Sequence, residues 1–218
     1  MQKFQDKSLF REYCKKRVKY FAKVSRYKRD KAVTNKLFYL IKMTKAKDIL
    51  LYVPLASEVN ILYLLKTLRG KKNIFVPFME GVSFKMVKFR LPLFKKNFNI
   101  KEPKNSLRKI SKLDLAIVPV LGVDGTLKRV GFGKGMYDRF FDSLQSLPYV
   151  VFVQLGECIT YEKVCDDFDI QANLYITPKK NIVQRGKNDN RNKYSSRSRY
   201  HKWHSRLLNS KKIRCCKL

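Results

Sequence analysis

The sequence has no long hydrophobic run. No stretch approaches the roughly 20 consecutive apolar residues that a membrane-spanning helix needs, and the residues after Met1 do not form the apolar segment of a secretory signal. Cysteine is scarce as well: five cysteines, an odd number without regular spacing, do not make a disulfide framework. These absences predict a protein of a reducing compartment, the cytoplasm, with no membrane as partner.

Acidic residues are also few. The 218-residue chain has 17 Asp and Glu against 49 Lys and Arg, a formal net charge of +32. Such an excess is typical of proteins that meet nucleic acid or an anionic membrane surface, but a general lysine-rich composition produces it too. Part of the charge is concentrated, because residues 178–218 hold 14 of the basic residues and a single acid, Asp189. We therefore divide the chain into a domain at 1–178 and a basic tail at 179–218.

The tail has too few and too irregular apolar residues to form a core, a composition that predicts disorder. Tyr194, Tyr200 and Trp203 are interleaved with its cations, so the tail could make weak, non-specific contact with nucleic acid by charge and stacking. An unstructured extension without a role fits the same composition equally well.

Hydrophobic patterning predicts an α/β fold for the domain. Apolar residues make up 44% of the chain, an ordinary fraction for a globular protein. A strand at 49–53, a helix at 58–68 and a strand at 73–77 form a β-α-β unit, which makes parallel sheet through a right-handed crossover. The expected architecture is Rossmann-like and three-layered, with a mostly parallel central sheet flanked by helices. The other expected elements are helices at 6–24 and 31–42 and strands at 114–121, 149–153 and 174–177.

The segment Arg129–Asp138 follows a predicted strand and leads into a helix. It has three glycines at alternate positions, which allow positive φ angles and let a ligand reach main-chain N–H groups. Arg129 and Lys134 add positive charge, and Asp138 is a candidate Mg²⁺ ligand. The spacing matches neither the Walker nor the dinucleotide-binding pattern, so the residues alone leave phosphate binding and plain loop geometry equally open. The glycines are Gly131, Gly133 and Gly135.

Two further features allow more than one interpretation. Lys7, Arg11, Lys15 and Lys19 recur at intervals of four in the first helix, where they repel one another unless an anion faces them. A solvated helix face explains them as well. Glu58 follows a strand end, the side of an open α/β sheet where ligands bind, but a carboxylate there could equally cap the next helix.

The segment from Val118 to Asp138 resembles the signature of the 5-formyltetrahydrofolate cyclo-ligases, also called methenyltetrahydrofolate synthetases. The similarity runs over residues 3–177 and includes Lys7-x-x-x-Arg11 and Tyr52-Val-Pro-Leu-Ala-Ser-Glu-Val59 in the family's order. It implies an ATP- and Mg²⁺-dependent ligase that converts 5-formyltetrahydrofolate to 5,10-methenyltetrahydrofolate through a phosphorylated formyl intermediate, with release of ADP and phosphate. Such an enzyme would act as a monomer on these small molecules.

The resemblance also implies a role for each matching residue. Lys134 and Arg129 would assist catalysis, and Asp138 with Asp169 would hold Mg²⁺. The other two sets would bind the substrates. ATP would contact Lys7, Arg11, Arg129, Gly131, Phe132, Gly133, Lys134, Gly135, Met136 and Tyr137. The folate would contact Val53, Glu58, Phe132, Gly133, Lys134, Gly135 and Met136.

Two residues depart from the family pattern, because Met136 stands where a tyrosine is usual and Asn173 where an aspartate is usual. They keep open a second hypothesis, a nucleotide-binding module without folate chemistry. A third hypothesis, a nucleic-acid-binding protein acting through the basic tail, rests on the charge and the aromatic residues of that tail.

Overall fold

The computed structural model describes residues 4, 6–95, 101–105, 112–184 and 215–217. Within these ranges the helices are α1 (Lys7–Lys23), α2 (Arg26–Thr44), α3 (Leu62–Leu68) and α4 (Met136–Asp142). The strands are β1 (Asp48–Leu50), β2 (Asn73–Glu80), β3 (Ser83–Lys88), β4 (Phe94–Lys95), β5 (Lys101–Glu102), β6 (Leu115–Pro119), β7 (Gly122–Val123), β8 (Arg129–Val130), β9 (Tyr149–Val153), β10 (Leu174–Ile176), β11 (Asn181–Val183) and β12 (Cys215–Lys217).

The described residues form a main sheet of eight strands in the order β12-β11-β10-β9-β6-β1-β2-β3. Its centre, from β10 through β9, β6 and β1 to β2, is parallel. β3 is antiparallel to β2 and β11 is antiparallel to β10, whereas β12 runs parallel to β11. The prediction of a mostly parallel sheet is therefore confirmed. Two short antiparallel ladders, β4–β5 and β7–β8, lie outside the main sheet.

Separate hydrophobic clusters cover the two faces of the sheet. On one face, α1, α2 and α3 pack through side chains such as Phe10, Leu37 and Leu64. On the other face, α4 packs through Phe140 and Phe141. β6 and β9 are buried along their whole length, as expected for parallel strands covered on both sides. The result is the predicted three-layer fold, and among its described helices none has the length and apolarity to cross a membrane.

Helix α1 has a well-defined beginning and a single buried stripe. The side chain of Asp6 accepts hydrogen bonds from the main-chain N–H groups of Ser8 and Leu9 at 3.1 and 3.2 Å, and such a cap satisfies donors that the helix itself leaves unpaired. The buried side chains recur at helical spacing. They are Phe10, Cys14, Val18 and Phe21.

Two glycines let α1 lie directly against the carboxyl ends of the central strands. A Cβ atom at Gly122, just after β6, would lie 3.0 Å from the ring of Phe10, and a Cβ atom at Gly156, just after β9, would overlap the ring of Phe21. Any larger residue would push the helix away. This close packing brings the cations of α1 to the edge of the sheet where α/β proteins bind ligands.

Two helix boundaries differ from the prediction. The helix expected at 31–42 begins earlier, at Arg26. The helix expected at 58–68 begins later, at Leu62, because residues 55–58 form a turn in which Glu58 N–H donates to the Leu55 carbonyl oxygen at 3.1 Å. The Leu62 N–H donates to the side chain of Asn60 at 3.1 Å. The polar residues before Leu62 therefore lie outside the helix and do not form its first turn.

The sheet extends past the last strand that the sequence predicts. After β10 the chain turns at residues 177–180, where the Thr177 N–H donates to the Lys180 carbonyl oxygen at 2.8 Å, and β11 returns antiparallel. The first residues of the predicted tail thus belong to the sheet, as do residues 215–217. The predicted disorder of the remaining tail concerns residues 185–214 and 218, which lie outside the described residues.

Gly125, in the turn between β7 and β8, offers a test of the packing. A Cβ atom there would lie 2.7 Å from the carbonyl carbon of Tyr161, in a main-chain segment that cannot move aside cheaply. We expect Gly125→Ala to lower the free energy of unfolding by about 3 kcal/mol, measured by urea denaturation. Gly70→Ala is the matched control: its φ of +88° is strained, at about 1 kcal/mol, but no described atom lies within 4 Å of the new methyl group. Equal losses in the two variants would contradict the expectation.

Candidate active site

The glycine loop, residues 131–135, lies beside the first half of α1. The Arg11 Nε donates to the carbonyl oxygen of Gly131 at 2.9 Å. Gly133 and Gly135 have φ angles of +99° and +57°, values that glycine adopts without strain, and α4 begins immediately afterwards. Lys134 lies exposed between them. The loop therefore has an anchored base and an open outer surface.

The far end of the loop is anchored by a residue that the sequence analysis did not single out. The Arg139 guanidinium donates to the carbonyl oxygens of Val82, at 3.0 Å from Nε, and of Lys134. The Ser83 hydroxyl lies 3.5 Å from the carbonyl oxygen of Met136. The turn between β2 and β3 thus fixes the point where the loop enters α4.

Arg129 lies at the base of the site with 9% of its surface exposed. Its guanidinium stacks over the ring of Tyr137 at 4.8 Å, and its Nη1 lies 3.8 Å from Oδ2 of Asp138. The Nε donates to the Pro119 carbonyl oxygen at the end of β6, at 3.4 Å. Because a buried cation is costly unless charges, rings or acceptors surround it, these contacts hold a positive charge in a fixed position.

The two predicted metal ligands meet at one corner of the site. Oδ1 of Asp138 accepts a hydrogen bond from the main-chain N–H of Ile170, the residue after Asp169, at 3.2 Å. Asp169 forms an ion pair with Lys7, whose Nζ also lies 2.8 Å from Oδ2 of Asp166. Burial opposes the charge of Lys7, but the hydrogen bonds to Asp166 and Asp169 outweigh it and raise the pKa of Lys7. Lys7 is therefore a charged ammonium group beside the carboxylates.

This corner fits Mg²⁺ by its donor chemistry. Asp138 and Asp169 offer carboxylate oxygens, the ligands that Mg²⁺ prefers. In the part of the chain that the structure describes, no group of three or more His, Cys, Asp or Glu side chains surrounds a metal position. The remaining ligands would have to be phosphate oxygens and water, which is the usual arrangement at nucleotide sites.

Glu58 lies in the turn after β1, where its Oε2 accepts a hydrogen bond from the Leu55 N–H at 2.9 Å. Helix capping, one of its two interpretations, is wrong because the next helix begins at Leu62. Burial raises the pKa of Glu58 to about 7, although the Leu55 N–H and the charge of Arg129 oppose the shift. Near neutral pH this carboxyl group can both accept and donate a hydrogen bond.

A small cleft brings part of the predicted site together. Glu58, Arg129 and Phe132 line it, with Val18 of α1 and Leu121 closing its sides. Phe132 is 50% exposed at the mouth of the cleft. A fixed cation, a titratable carboxyl group and an exposed ring thus face one space of about 10 Å³, the room of a single water molecule, so a larger ligand would lie across its mouth.

Two predicted folate contacts do not line this cleft. Val53 packs against the cluster beneath α1, α2 and α3, and Met136 packs against the cluster beneath α4. Hydrophobic burial accounts for both positions.

Sequence reasoning also missed two residues that support the site. The Arg26 Nη2 donates to the carbonyl oxygen of Glu58 at 3.1 Å, so α2 holds the turn in place. Asp166 shares Lys7 with Asp169. In both cases the partners are distant in the sequence, and no local pattern indicates the contact.

Replacing Glu58 with glutamine tests the electrostatics of the cleft. The folded-state pKa of about 7 lies above the ordinary value of 4.5, so the folded protein binds this proton more tightly than the unfolded chain does. The native protein should therefore lose stability as the pH rises from 4.5 to 7. We expect Glu58→Gln, which cannot ionise, to be more stable than the native protein by about 1–3 kcal/mol above pH 7, with no difference below pH 4.5.

Thermal unfolding across this pH range measures the difference. Glu80→Gln is the control, because the Glu80 side chain is 60% exposed and should produce no such pH-dependent gap. A gap of constant size at every pH would show that packing and not ionisation separates Glu58→Gln from the native protein.

Known proteins resemble this chain in sequence. The model of the 5-formyltetrahydrofolate cyclo-ligase family matches residues 3–166. The 5-formyltetrahydrofolate cyclo-ligase of Haemophilus influenzae is 25% identical over 136 residues, which are 58% of this chain and 73% of that protein. The 5-formyltetrahydrofolate cyclo-ligase of Mycoplasma genitalium is 26% identical over 153 residues, 67% of this chain and 82% of the relative.

Solved structures agree with these matches. The NMR structure of the 5,10-methenyltetrahydrofolate synthetase of Aquifex aeolicus aligns with a TM-score of 0.67 and 25% identity, over 86% of this chain and 99% of the other. The fold is also that of the 5,10-methenyltetrahydrofolate synthetase from Mycoplasma pneumoniae, with a TM-score of 0.59, 20% identity, and coverage of 80% of this chain and 99% of that one. Asp169 lies just beyond the family match, so its place in the site rests on its contacts.

Proposed function

The chain belongs to the 5-formyltetrahydrofolate cyclo-ligase family, a family of ligases in folate one-carbon metabolism, and we propose that it converts 5-formyltetrahydrofolate to 5,10-methenyltetrahydrofolate at the expense of ATP. The reaction would release ADP and phosphate. The proposed site comprises the glycine loop, the first half of α1, the Glu58 turn and the corner of Asp138 and Asp169.

One observation carries the proposal: cations from distant parts of the chain converge on the glycine loop and on the corner of Asp138 and Asp169. Arg11 bonds to the loop across 120 positions of sequence, and Lys7 reaches Asp169 across 162. Arg129 lies buried beneath the same loop. Positive side chains outnumber negative ones around this open loop, and they repel one another. A bound polyphosphate would attract each of them and so offset that repulsion.

Phosphoryl transfer would be the first step. The oxygen of the N5-formyl group attacks the γ-phosphorus of ATP, the bond to the ADP oxygen breaks, and the formyl oxygen now carries the phosphoryl group. Such a transfer needs alignment and charge neutralisation more than covalent help. Lys7, Arg11 and Lys134 would neutralise the phosphates from the rim of the site, and Arg129 from its base.

Ring closure would follow within the same site. N10 of the folate attacks the formyl carbon, the carbon–oxygen bond breaks, phosphate leaves, and N10 loses its proton. The role of Glu58 would be to orient the folate by a hydrogen bond. With its pKa at about 7, the buried carboxyl group can serve as an acceptor without the full cost of a permanently buried charge. Phe132 would cover one side of the flat ring.

Asp138 and Asp169 would hold Mg²⁺, which would screen the phosphate charges when bound. Both carboxylates already have cationic neighbours, Arg129 and Lys7. Bound phosphates would give these two cations new partners, which would leave the carboxylate oxygens available to a metal ion. The side chains therefore suit a paired entry of ATP and Mg²⁺.

A turnover assay tests the proposed function. Full-length protein is incubated with 5-formyltetrahydrofolate, ATP and Mg²⁺, and the absorbance of the methenyl product is followed. We expect product only when all three are present. ATP binding without product would support the second hypothesis, a nucleotide-binding module without folate chemistry, and would refute the proposed reaction.

Nucleic-acid binding through the basic tail stays a prediction, since residues 185–214 lie outside the described part of the chain. Binding by charge should weaken steeply as salt concentration rises. Measurement of RNA affinity at increasing salt separates this property from turnover.

A further inference from the structure

A second cavity lies on the opposite flank of α1 from the glycine loop. Its volume is about 370 Å³, within the lower range of sites for small molecules. Arg11 and Val18 face the glycine loop and its cleft, whereas Tyr13 and Arg17 line the second cavity. We call it the α1 cavity. Helix α1 separates it from the proposed active site.

Two arginines dominate one wall of the α1 cavity. Arg17 and Arg29 both lie over the ring of Phe21, at 4.8 and 4.7 Å from its centre. Arg29 is fixed by two main-chain carbonyl groups, with its Nε 3.0 Å from Val24 O and its Nη1 3.1 Å from Leu155 O. This wall therefore presents two positive charges on an ordered aromatic base.

The Nε of Arg17 is buried and has no hydrogen-bond partner among the described residues. A buried donor of a charged group without a partner is costly, and this cost is part of holding the Arg17 charge at the cavity wall. The acid at the cavity, Glu157, is engaged by Lys180 at 3.1 Å. Lys179 adds a further positive charge at the exposed rim. The lining is thus positive in balance.

Cys158 forms another part of the lining, next to Arg17. The thiol of Cys158 lies beside Cys14 and Arg17, and the hydrogen bond from Cys14, followed by the charge of Arg17, lowers the pKa of Cys158 in spite of its burial. Arg17 thus places its positive charge beside this wall as well.

Aromatic residues form the rest of the lining. The rings of Phe4 and Tyr13 lie 5.0 Å apart and border the same space as Phe21. Flat apolar walls next to guanidinium groups favour a ligand with a ring at one end and a negative group at the other. We propose that the α1 cavity binds a small aromatic anion, a single ring carrying one phosphate or carboxylate group, independently of the active site.

Fluorine NMR tests the proposal with three probes: 4-fluorophenyl phosphate, 4-fluorobenzoate and the neutral 4-fluorobenzyl alcohol. Full-length protein is first saturated with ATP and Mg²⁺, so that the probes cannot report on the glycine loop. Line broadening during titration gives the Kd of each probe. We expect at least one of the two anions to bind and the alcohol not to bind, and the stronger anion identifies the preferred acidic group.

Variants locate the binding. Arg17→Gln should raise the Kd for the anion by about tenfold or more, the usual effect of losing a hydrogen bond to a charged group. Lys16→Gln, an equal loss of charge at an exposed neighbouring position of α1, should leave the Kd unchanged. Lys179→Gln, at the rim, serves if Arg17→Gln does not fold, and it should weaken binding by a smaller factor. None of these three substitutions should alter turnover.

Several results would overturn the proposal. They are the absence of anion binding to the native protein, binding of the anion only when ATP is left out, equal binding of the neutral alcohol, or equal weakening by Lys16→Gln. Displacement by ATP would assign the probe to the active site and leave the proposed function untouched, so the two proposals can fail separately.

Discussion

Replacing Lys134 with alanine is expected to reduce methenyl formation by about 100-fold or more, the range seen when one preorganised charged or polar group is removed from a transition state. Lys134 lies exposed on the loop, between two glycines with positive φ angles. Its ammonium group is a compact point charge with three donors, which suits it to bind a phosphoryl group between donor and acceptor. Loss of this charge should lower kcat more than it raises KM.

The controls for Lys134 separate charge from position. Lys66→Ala, at an exposed position of α3 away from the loop, should retain native turnover. Lys134→Arg keeps the charge but changes its shape, so partial activity is expected. Native stability in Lys134→Ala, measured by thermal unfolding, shows that the fold is intact. Full turnover in Lys134→Ala would remove this residue from the catalytic assignment.

Replacing Asp138 with asparagine is the second large change. The amide keeps an oxygen that can accept the Ile170 N–H, a contact of 3.2 Å in the native protein, but it removes the negative charge. We expect turnover to fall by about 100-fold or more and the Mg²⁺ concentration needed for half-maximal rate to rise. Steady-state rates over a Mg²⁺ titration measure both effects.

The matched control for Asp138 is Asp142→Asn. Asp142 lies in the same helix one turn later and is exposed, so its replacement changes the charge of α4 without touching the site. Its rate and Mg²⁺ dependence should equal those of the native protein. A shared decrease would point to the charge of α4 as a whole, and an unchanged Mg²⁺ dependence in Asp138→Asn would falsify the assignment of Asp138 as a metal ligand.

Local patterning was enough to find much of the fold. The strand at 149–153 has the predicted bounds, and the first helix differs from its prediction by a residue at each end. Both have strong periodic or continuous apolar sequences and clear boundaries. The predicted start of α3 was wrong. The residues around Glu58 do not by themselves exclude a helix, but a tertiary hydrogen bond from Arg26 favours a turn there.

The residue types of the proposed site could be predicted from the sequence, whereas the contacts among them could not. The glycines and charged residues of segment 129–138 are close together in the sequence, so a sequence motif can identify them. The ion pair of Lys7 with Asp169 and the support of Glu58 by Arg26 depend on where separate elements meet. Burial then changes the chemistry of a residue type, as the raised pKa of Glu58 shows. Such effects follow from three-dimensional neighbours, which no spacing in the sequence encodes.

The packing of α1 against Gly122 and Gly156 affects the order in which the protein folds during synthesis. This helix precedes the other described helices and strands in synthesis, yet part of its binding surface consists of segments made more than 100 residues later, and Lys7 meets its partner across 162 positions. Contacts of such long range form late in folding. The apolar stripe of the nascent helix therefore stays partly uncovered until synthesis has passed residue 156.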